Sequence, residues 1–274
     1  MPTPMSSRAT SRRASACRDH LRPGVARALA VALALPMAAV PAAALAQDTI
    51  APGNPALRID RVRLATDTIV VLITPTDSAE RLGSTLVRRI ERVRSGPEEL
   101  FRETQHYLRA NGDVEDDTLE MSARTLAFRR IVEVYEDTAR NVVRSDGERL
   151  TGFVTFPDSG RREVSMPAVP FFHDMVDEAF IGALPLDSGV TILVPLIVPP
   201  RLDVHVLPFT VTGTETIRTA DGPVACLVVK GPGKTTTAWL AATDHHLVRL
   251  RWTLPNGTSI WKLPKRDANF RSLS

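Results

Sequence analysis

Hydrophobic and polar residues alternate along much of this chain, which is the pattern of a β-strand with one face on a core and one in water. Residues 248–254 alternate Val, Leu, Trp and Leu with Arg, Arg and Thr, and Phe209–Thr212 alternates in the same way. Val224–Val229 is apolar on both faces, as in a strand covered on both sides. The same patterns predict strands at Ile59–Leu64, Thr68–Ile73, Ser84–Val93, Leu100–Leu108, Leu126–Tyr135, Leu150–Phe156, Val190–Leu196, Thr235–Leu240 and Ser259–Leu263.

Turn-forming residues separate many of these strands. Asp-Gly and Asn-Gly pairs favour tight hairpins because both central residues can adopt a positive φ. Such signals occur at Asn111–Asp113, Asp146–Gly147, Asp158–Gly160, Asp221–Gly222 and Pro255–Gly257. Neighbouring strands are therefore expected to run antiparallel.

One segment has a helical rather than a strand pattern. After Pro170, the residues Phe172, Val176, Phe180 and Ala183 recur at helical spacing. Pro170 suits a first helical turn, where the missing N–H would have no partner in any case. The sequence therefore predicts a mainly β fold: a large curved antiparallel sheet or half-barrel, with one short amphipathic helix packed on it as a plug or lid.

The first 46 residues have the three parts of a secretory signal peptide. Arg8 to Arg27 make the start basic, an apolar run follows from Ala28 to about Val40, and Ala44–Ala46 gives the small-x-small cleavage pattern. The apolar run is roughly a dozen residues, whereas a membrane-spanning helix needs about 20. A cleaved leader is favoured over a retained anchor, with cleavage near Ala46/Gln47, a periplasmic or secreted mature chain, and no transmembrane segment in it.

The domain organisation follows from this leader. We expect a signal peptide over 1–46, a flexible N-terminus over 47–56 that is rich in Pro, Gly and Ala, a single antiparallel β domain over 57–265 and a tail over 266–274. The length of the mature chain allows a substantial hydrophobic core.

Charge excludes one class of partner. The chain has 34 basic and 31 acidic residues, but six Arg and one Asp of these lie in the leader, which leaves 28 basic and 30 acidic residues. The mature chain is thus mildly acidic, so no nucleic-acid partner is expected. Cys17 lies in the leader and Cys226 stands alone in the mature chain, so an internal disulfide is excluded there.

Four motifs that carry chemistry in other proteins have simpler explanations here. Gly231–Thr235 ends like a phosphate-binding loop, but Val228 stands where the first Gly is required, which indicates a hairpin turn. The two Asp-Ser-Gly triplets, Asp158–Gly160 and Asp187–Gly189, are too close in sequence for the two lobes of an aspartic protease. Adjacent His245 and His246 would point to opposite faces of a strand, so a polar turn is favoured over a metal site.

No catalytic residue, metal ligand or cofactor is therefore predicted, and Cys226 is expected to be an inert core thiol. Trp239, Trp252 and Trp261 fall in the last three predicted strands, where core packing is favoured. The alternative is a concave apolar pocket with the helix at its mouth. Its candidate ligand-binding residues are Phe171, Phe172, Met175, Trp239 and Trp252.

The stretch Thr210–Lys262 resembles an exported bacterial family catalogued as domain of unknown function 3108. The resemblance lies in Val211–Ile217 with its Gly-x-Glu pattern, the Asp221–Gly222 turn, a strand through Cys226, and Trp239–Leu240 followed by Asp244 and Leu247–Arg249. It extends weakly to Leu184–Leu186. The resemblance implies an antiparallel sheet curved into a half-barrel, loosely like the periplasmic lipoprotein carriers, without established catalytic residues.

Three functions are compatible with these features. The leading hypothesis is a non-enzymatic exported protein that binds or carries an apolar or lipid-like component of the cell envelope on a curved sheet. The second is a structural or protein-interaction module of the envelope, with a partner protein bound at an edge strand or at the Arg-rich strand Val87–Arg94. The third, a hydrolase that uses Asp187 or a histidine, has the least support.

Overall fold

The computed structural model describes residues 48–156, 158–174, 178–198, 201–231 and 235–273. Fifteen strands lie within these ranges, and all belong to one sheet. The strands are β1 (Ala65–Thr74), β2 (Arg81–Ser95), β3 (Glu98–Arg109), β4 (Val114–Ser122), β5 (Phe128–Tyr135), β6 (Thr138–Ser145), β7 (Arg149–Phe156), β8 (Gly160–Pro167), β9 (Phe172–His173), β10 (Thr191–Val198), β11 (Asp203–Thr219), β12 (Gly222–Lys230), β13 (Thr236–Ala241), β14 (Leu247–Thr253) and β15 (Ser259–Pro264). The predicted mainly β fold with one large curved sheet is confirmed.

The strand order shows why the sheet has to curl. Across the sheet, the strands follow in descending number from β8 to β1, and then in descending number from β15 to β9. β8 and β9 therefore form opposite edges. Only residues 168–171 connect these two edges. A connection of that length spans at most about 17 Å in extended form, whereas fifteen flat strands would be about 65 Å wide. The sheet must therefore bring its two edges close together. Its pairs are antiparallel, except for β9 beside β10.

The concave inner face is filled by a segment we call the plug, which consists of residues 171–174 and 178–187. Phe172, Phe180 and Leu184 of the plug are fully buried and join one apolar cluster with Phe101 and Leu119 of the sheet. Gly182 lies so close to the turn before β14 that a Cβ atom there would be 2.4 Å from the His245 carbonyl oxygen. The plug is thus packed into the sheet at many points.

The helix predicted after Pro170 needs correction. Phe172 and His173 form β9, and Ile181–Ala183 form a single 3-10 turn, while Val176 lies outside the described residues. Phe172, Phe180 and Ala183 are all buried, and so are their neighbours Phe171 and Ile181. Because adjacent residues such as Phe171 and Phe172 or Phe180 and Ile181 are both buried, the buried side chains are not confined to the positions of one amphipathic helix face, which agrees with the irregular path.

Both ends of the described chain are held against the sheet, in contrast to the flexible N-terminus and tail predicted from sequence. Ile50 is buried, and its N–H donates to the Leu193 carbonyl at 2.8 Å. Lys265–Leu273 form a 3-10 helix, in which buried Asp267 accepts a hydrogen bond from the Ala220 N–H at 2.7 Å. Composition predicted flexibility here because it does not register such long-range contacts.

The predicted leader and its cleavage position near Ala46/Gln47 lie outside the described residues, which begin at Asp48. Within the described part, no helix combines the length and the hydropathy that a membrane crossing requires.

Candidate functional site

The inner face of the sheet changes from apolar to polar along each of several neighbouring strands. On β4, Met121 and Leu119 are fully buried in the apolar core, and Asp117 follows on the same face. On β5, Ile131 is followed in the same way by Glu133. Strand register aligns these changes, because Leu119 lies opposite Ile131 and Asp117 lies opposite Glu133. The polar positions consequently meet at one level of the sheet.

These positions form a continuous row across six strands, which we call the polar rung. Each member is the direct cross-strand neighbour of the next, so adjacent side chains lie about 5 Å apart on the inner face. In strand order from β1 to β6, the polar rung consists of Asp67, Arg88, Gln105, Asp117, Glu133 and Asn141.

A chain of hydrogen bonds connects the polar rung to β15 and to the plug. The Lys262 ammonium on β15 donates to the Glu178 carboxylate of the plug and, at 3.1 Å, to the Tyr107 hydroxyl. Tyr107 donates to the Gln105 side chain, whose Nε2 donates to Glu103 Oε1 at 2.7 Å. One charged group on the plug is therefore linked to a buried carboxyl on β3.

Burial has opposite consequences for the acids and for the lysine of this cluster. It raises the pKa of Glu103 to about 7, against the attraction of Arg88, and it raises the pKa of Asp117 to about 8, with repulsion from Glu133 adding to the effect. Burial opposes the charge on Lys262, but Glu178 and Tyr107 outweigh it and raise the pKa of the ammonium. The Lys262 ammonium is thus charged at neutral pH, Asp117 mostly holds its proton, and Glu103 is partly protonated.

The sheet splits beside this cluster. β15 pairs with β1 only over Ile69–Thr74 and with β14 only over Leu250–Thr253, and it ends at Pro264, which has no N–H to donate. Ala65–Thr68 of β1 and Leu247–Arg249 of β14 therefore have no strand on that side within the described structure. We call the opening between them the slot.

The slot is a pocket of about 910 Å³ whose lining comes from both faces of the sheet. Its inner end contains charged side chains of the polar rung and the plug region, and its outer mouth lies under the 3-10 helix Lys265–Leu273. The inner end is lined by Arg63, Asp67, Arg88, Glu178 and Lys262, the outer mouth by Asp221, Arg249, Arg266 and Asp267, and the walls by Ile69, Val224, Leu247, Val248, Leu263 and Pro264.

Two arginines, Arg63 and Arg88, lie at the inner end, and a third, Arg61, borders a small cavity beside it. Nη2 of Arg88 lies 3.4 Å from one oxygen of Asp67, and Nη2 of Arg63 lies 3.7 Å from the other. Nη1 of Arg61 donates to Nδ1 of His245 at 2.8 Å. Burial and the neighbouring Arg61 lower the pKa of His245, so this imidazole is a neutral acceptor. In these contacts, the three guanidinium groups have a single carboxylate partner between them, Asp67.

Of the five residues predicted to bind a ligand, three meet at the inner apolar cluster, one lies on the opposite face, and one is not described. Phe171 and Phe172 are buried core residues of the plug, Trp252 packs partly buried against the same inner cluster, and Met175 lies outside the described residues. Trp239 is on the opposite face. It alternates with Ala238 and Leu240, which point inward, so β-strand periodicity sends the indole outward.

The outer face carries a second, smaller apolar cluster that contains Trp239 and Cys226, with Trp261 packed against it. Trp239 stacks on Trp261 with ring centroids 5.8 Å apart, and its Nε1 donates to Glu215 at 2.5 Å. Cys226 is fully buried there, and burial raises the pKa of its thiol to about 11. Cys226 and Trp239 are therefore both packed in this outer cluster, while the chemical inertness expected of the thiol stays a prediction.

The other motifs lie in turns. Asp244–His246 connects β13 to β14, with His246 Nδ1 2.6 Å from Asp244, while Asp187–Gly189 precedes β10. Asp158–Gly160 connects β7 to β8, and most of Gly231–Thr235 lies outside the described residues. In the ranges that the structure describes, His, Cys, Asp and Glu side chains form no group of three suited to a metal ion.

Sequence reasoning missed the polar rung and the arginines of the slot. Neither β4 nor β6 was predicted, since acidic or amide residues occupy inward positions of both strands. One signal was available: Glu115 and Asp117 continue the odd-numbered series of Leu119 and Met121. A strand whose single face changes from apolar to acidic indicates a polar interior.

Comparison with known proteins places this architecture in a family. The profile of the family described as "Protein of unknown function (DUF3108)" matches residues 112–261, well beyond Thr210–Lys262. None of the curated proteins matches the chain. Among solved structures, the crystal structure of a beta-barrel-like protein of domain of unknown function DUF1849 from Brucella abortus is 12% identical, with a TM-score of 0.43, over 75% of this chain and 98% of that one. Because the family profile covers more than half of its 274 residues, the chain belongs to the DUF3108 family.

Proposed function

We propose that this chain is an exported, non-enzymatic protein that binds a lipid-like component of the cell envelope in the slot. The observation that carries the proposal is the slot itself, an opening in an otherwise continuous sheet. Its volume of about 910 Å³ lies in the range of small-molecule sites. Export is supported by the leader pattern of the first 46 residues.

The lining of the slot favours an amphiphile over a wholly apolar molecule. Ile69, Val248 and Leu263 offer apolar walls, whereas Arg88 and Lys262 offer charge at the inner end. An acyl chain on the concave face, as predicted from sequence, would instead have to displace the plug, whose phenylalanines fill that space. Binding in the slot requires no such rearrangement.

Blocking the slot tests the proposal. Thr68 is exposed at the slot wall, so Thr68→Trp should fill the opening while leaving the core intact. Leu108→Trp is the matched control, because Leu108 is 51% exposed on β3 and does not line the slot. Each mature protein is purified from the envelope fraction, and its organic extract is analysed by mass spectrometry.

We expect an envelope molecule to co-purify with the wild type and with Leu108→Trp, and to fall at least about tenfold in Thr68→Trp, which corresponds to about 1.4 kcal/mol. Equal amounts in the two variants, or nothing bound to the wild type, would overturn the proposal.

One observation favours a protein-interaction module as a second candidate. β8 ends the sheet, and its outer edge has no partner strand in the described structure, so another chain could pair with it. The Arg-rich stretch Val87–Arg94 offers no such edge, because β2 lies between β1 and β3. A photo-crosslinker at exposed Glu163 should capture an envelope protein, whereas one at Leu108 should not; equal labelling from both positions contradicts this function.

A further inference from the structure

We propose that the inner end of the slot is a subsite for an anionic group, a phosphate or a carboxylate, held by Arg61, Arg63 and Arg88. The inference rests on the proposed function, and it specifies the charge of the ligand's polar group. Arginine suits this role because its planar guanidinium presents several donors to phosphate or carboxylate oxygens.

The geometry leaves two of these guanidinium groups weakly engaged. Arg63 and Arg88 share the single carboxylate of Asp67 at 3.7 and 3.4 Å, whereas a tight charge-assisted hydrogen bond is about 2.8 Å long. In addition, Nε and Nη1 of Arg88 are enclosed and have no hydrogen-bond partner among the described residues. Leaving a buried charged donor unpaired is unfavourable, so the structure has unused hydrogen-bonding capacity at this point.

Arg61 adds a third guanidinium whose charge is not neutralised by its partner. It donates to His245, which is neutral because burial and Arg61 lower its pKa. A small, partly open cavity beside the slot is lined by Arg61, Arg63, Arg88 and Glu178, and the last three of these residues also line the slot. An anion at the inner end of the slot would therefore lie next to all three arginines.

The acids nearby do not cancel this positive charge. Glu178 is paired with Lys262. Burial raises the pKa of Asp244, but the hydrogen bonds from His246 outweigh this effect and hold the pKa below its ordinary value. The inner end thus has the three arginines and Lys262 against the carboxylates of Glu178, Asp244 and Asp67. A fourth carboxyl, that of Glu103, attracts Arg88 but is partly protonated, because burial raises its pKa to about 7. A net positive charge in a partly enclosed slot favours an anion over a cation or a neutral group.

Isothermal titration with three probes distinguishes the sources of the anion. Inorganic phosphate tests for a free phosphate, dihexanoyl phosphatidic acid for a lipid headgroup with short chains, and hexanoate for a carboxylate. We expect at least one probe to bind, and tighter binding of the phospholipid than of phosphate would identify a lipid headgroup. A weaker affinity at higher salt is also expected, since the contact is ionic.

Arg63→Gln is the test variant, because the Arg63 side chain is 55% exposed and its loss should not unfold the protein. Arg161→Gln is the matched control, since Arg161 is 59% exposed on the distant strand β8. We expect Arg63→Gln to raise the Kd at least about fivefold and Arg161→Gln to leave it unchanged. Equal affinities of the two variants, or no binding of any probe, would overturn the anion subsite. If the anion subsite were overturned but an envelope molecule still co-purified with the wild type, the proposed function would stand without this subsite.

Discussion

The two halves of the inner face, built from the same strands, have opposite energetic roles. In the apolar half, residues such as Phe101, Leu119 and Phe172 are fully buried in one cluster. In the polar half, the polar rung places three carboxyls, two amides and a guanidinium on the same inner face. Each fully buried apolar side chain stabilises the fold by about 1.5–3 kcal/mol, whereas burial of unpaired polar atoms destabilises it. The polar half therefore cannot be explained by stability, which supports a role in binding.

The largest expected effect concerns the apolar half. Phe172→Ala should lower the free energy of unfolding by about 4–5 kcal/mol, because it removes a fully buried ring and leaves a cavity between plug and sheet. Chemical denaturation measures the loss. Val169→Ala is the control three residues away, since Val169 is 49% exposed and its truncation should change stability by less than about 0.5 kcal/mol. A similar, small effect of both variants would show that the plug does not stabilise the sheet.

The two halves also differ in how far they could be predicted from sequence. β14 was predicted because its apolar residues alternate with polar ones, and the Asp221–Gly222 turn correctly predicted the β11–β12 hairpin. β4 and β6 were missed because Asp117 and Asn141 face inward. The strand predicted over Ile59–Leu64 does not form, since Ile59–Arg61 is a 3-10 turn. The polar rung depends on register across six strands, and the slot depends on where β15 leaves its neighbours. Local periodicity contains neither piece of information.

The second prediction tests whether the buried ion pair of Lys262 and Glu178 stabilises the fold more than an apolar pair at the same positions would. Lys262→Met should lower the free energy of unfolding by about 3–4 kcal/mol, because it leaves the Glu178 carboxylate buried without its partner. The double variant Lys262→Met with Glu178→Leu should return to within about 1 kcal/mol of the wild type, since an apolar pair replaces the ion pair. Denaturation curves of the single and double variants measure both effects. A double variant no more stable than Lys262→Met would mean that the ion pair itself stabilises the fold.

The smallest effect is a dependence of stability on pH that comes from the polar half. Burial raises the pKa of Glu103 from its ordinary value of 4.5 to about 7, so the folded protein retains a proton that the unfolded chain loses. Stability should therefore decrease by about 3 kcal/mol for this residue as the pH rises from about 4.5 to about 7, and then level off. Asp117, with a pKa of about 8, extends the decrease to higher pH.

Glu103→Gln tests the origin of this slope, because glutamine keeps the shape of the side chain and does not titrate. The variant should be more stable than the wild type at pH 8, and its stability should vary less between pH 5 and pH 8. Glu163→Gln on exposed β8 is the control and should retain the wild-type slope. Thermal unfolding at several pH values measures all three proteins. Parallel curves for the wild type and Glu103→Gln would show that Glu103 is ionised in the folded state, so that Arg88 rather than burial determines its charge.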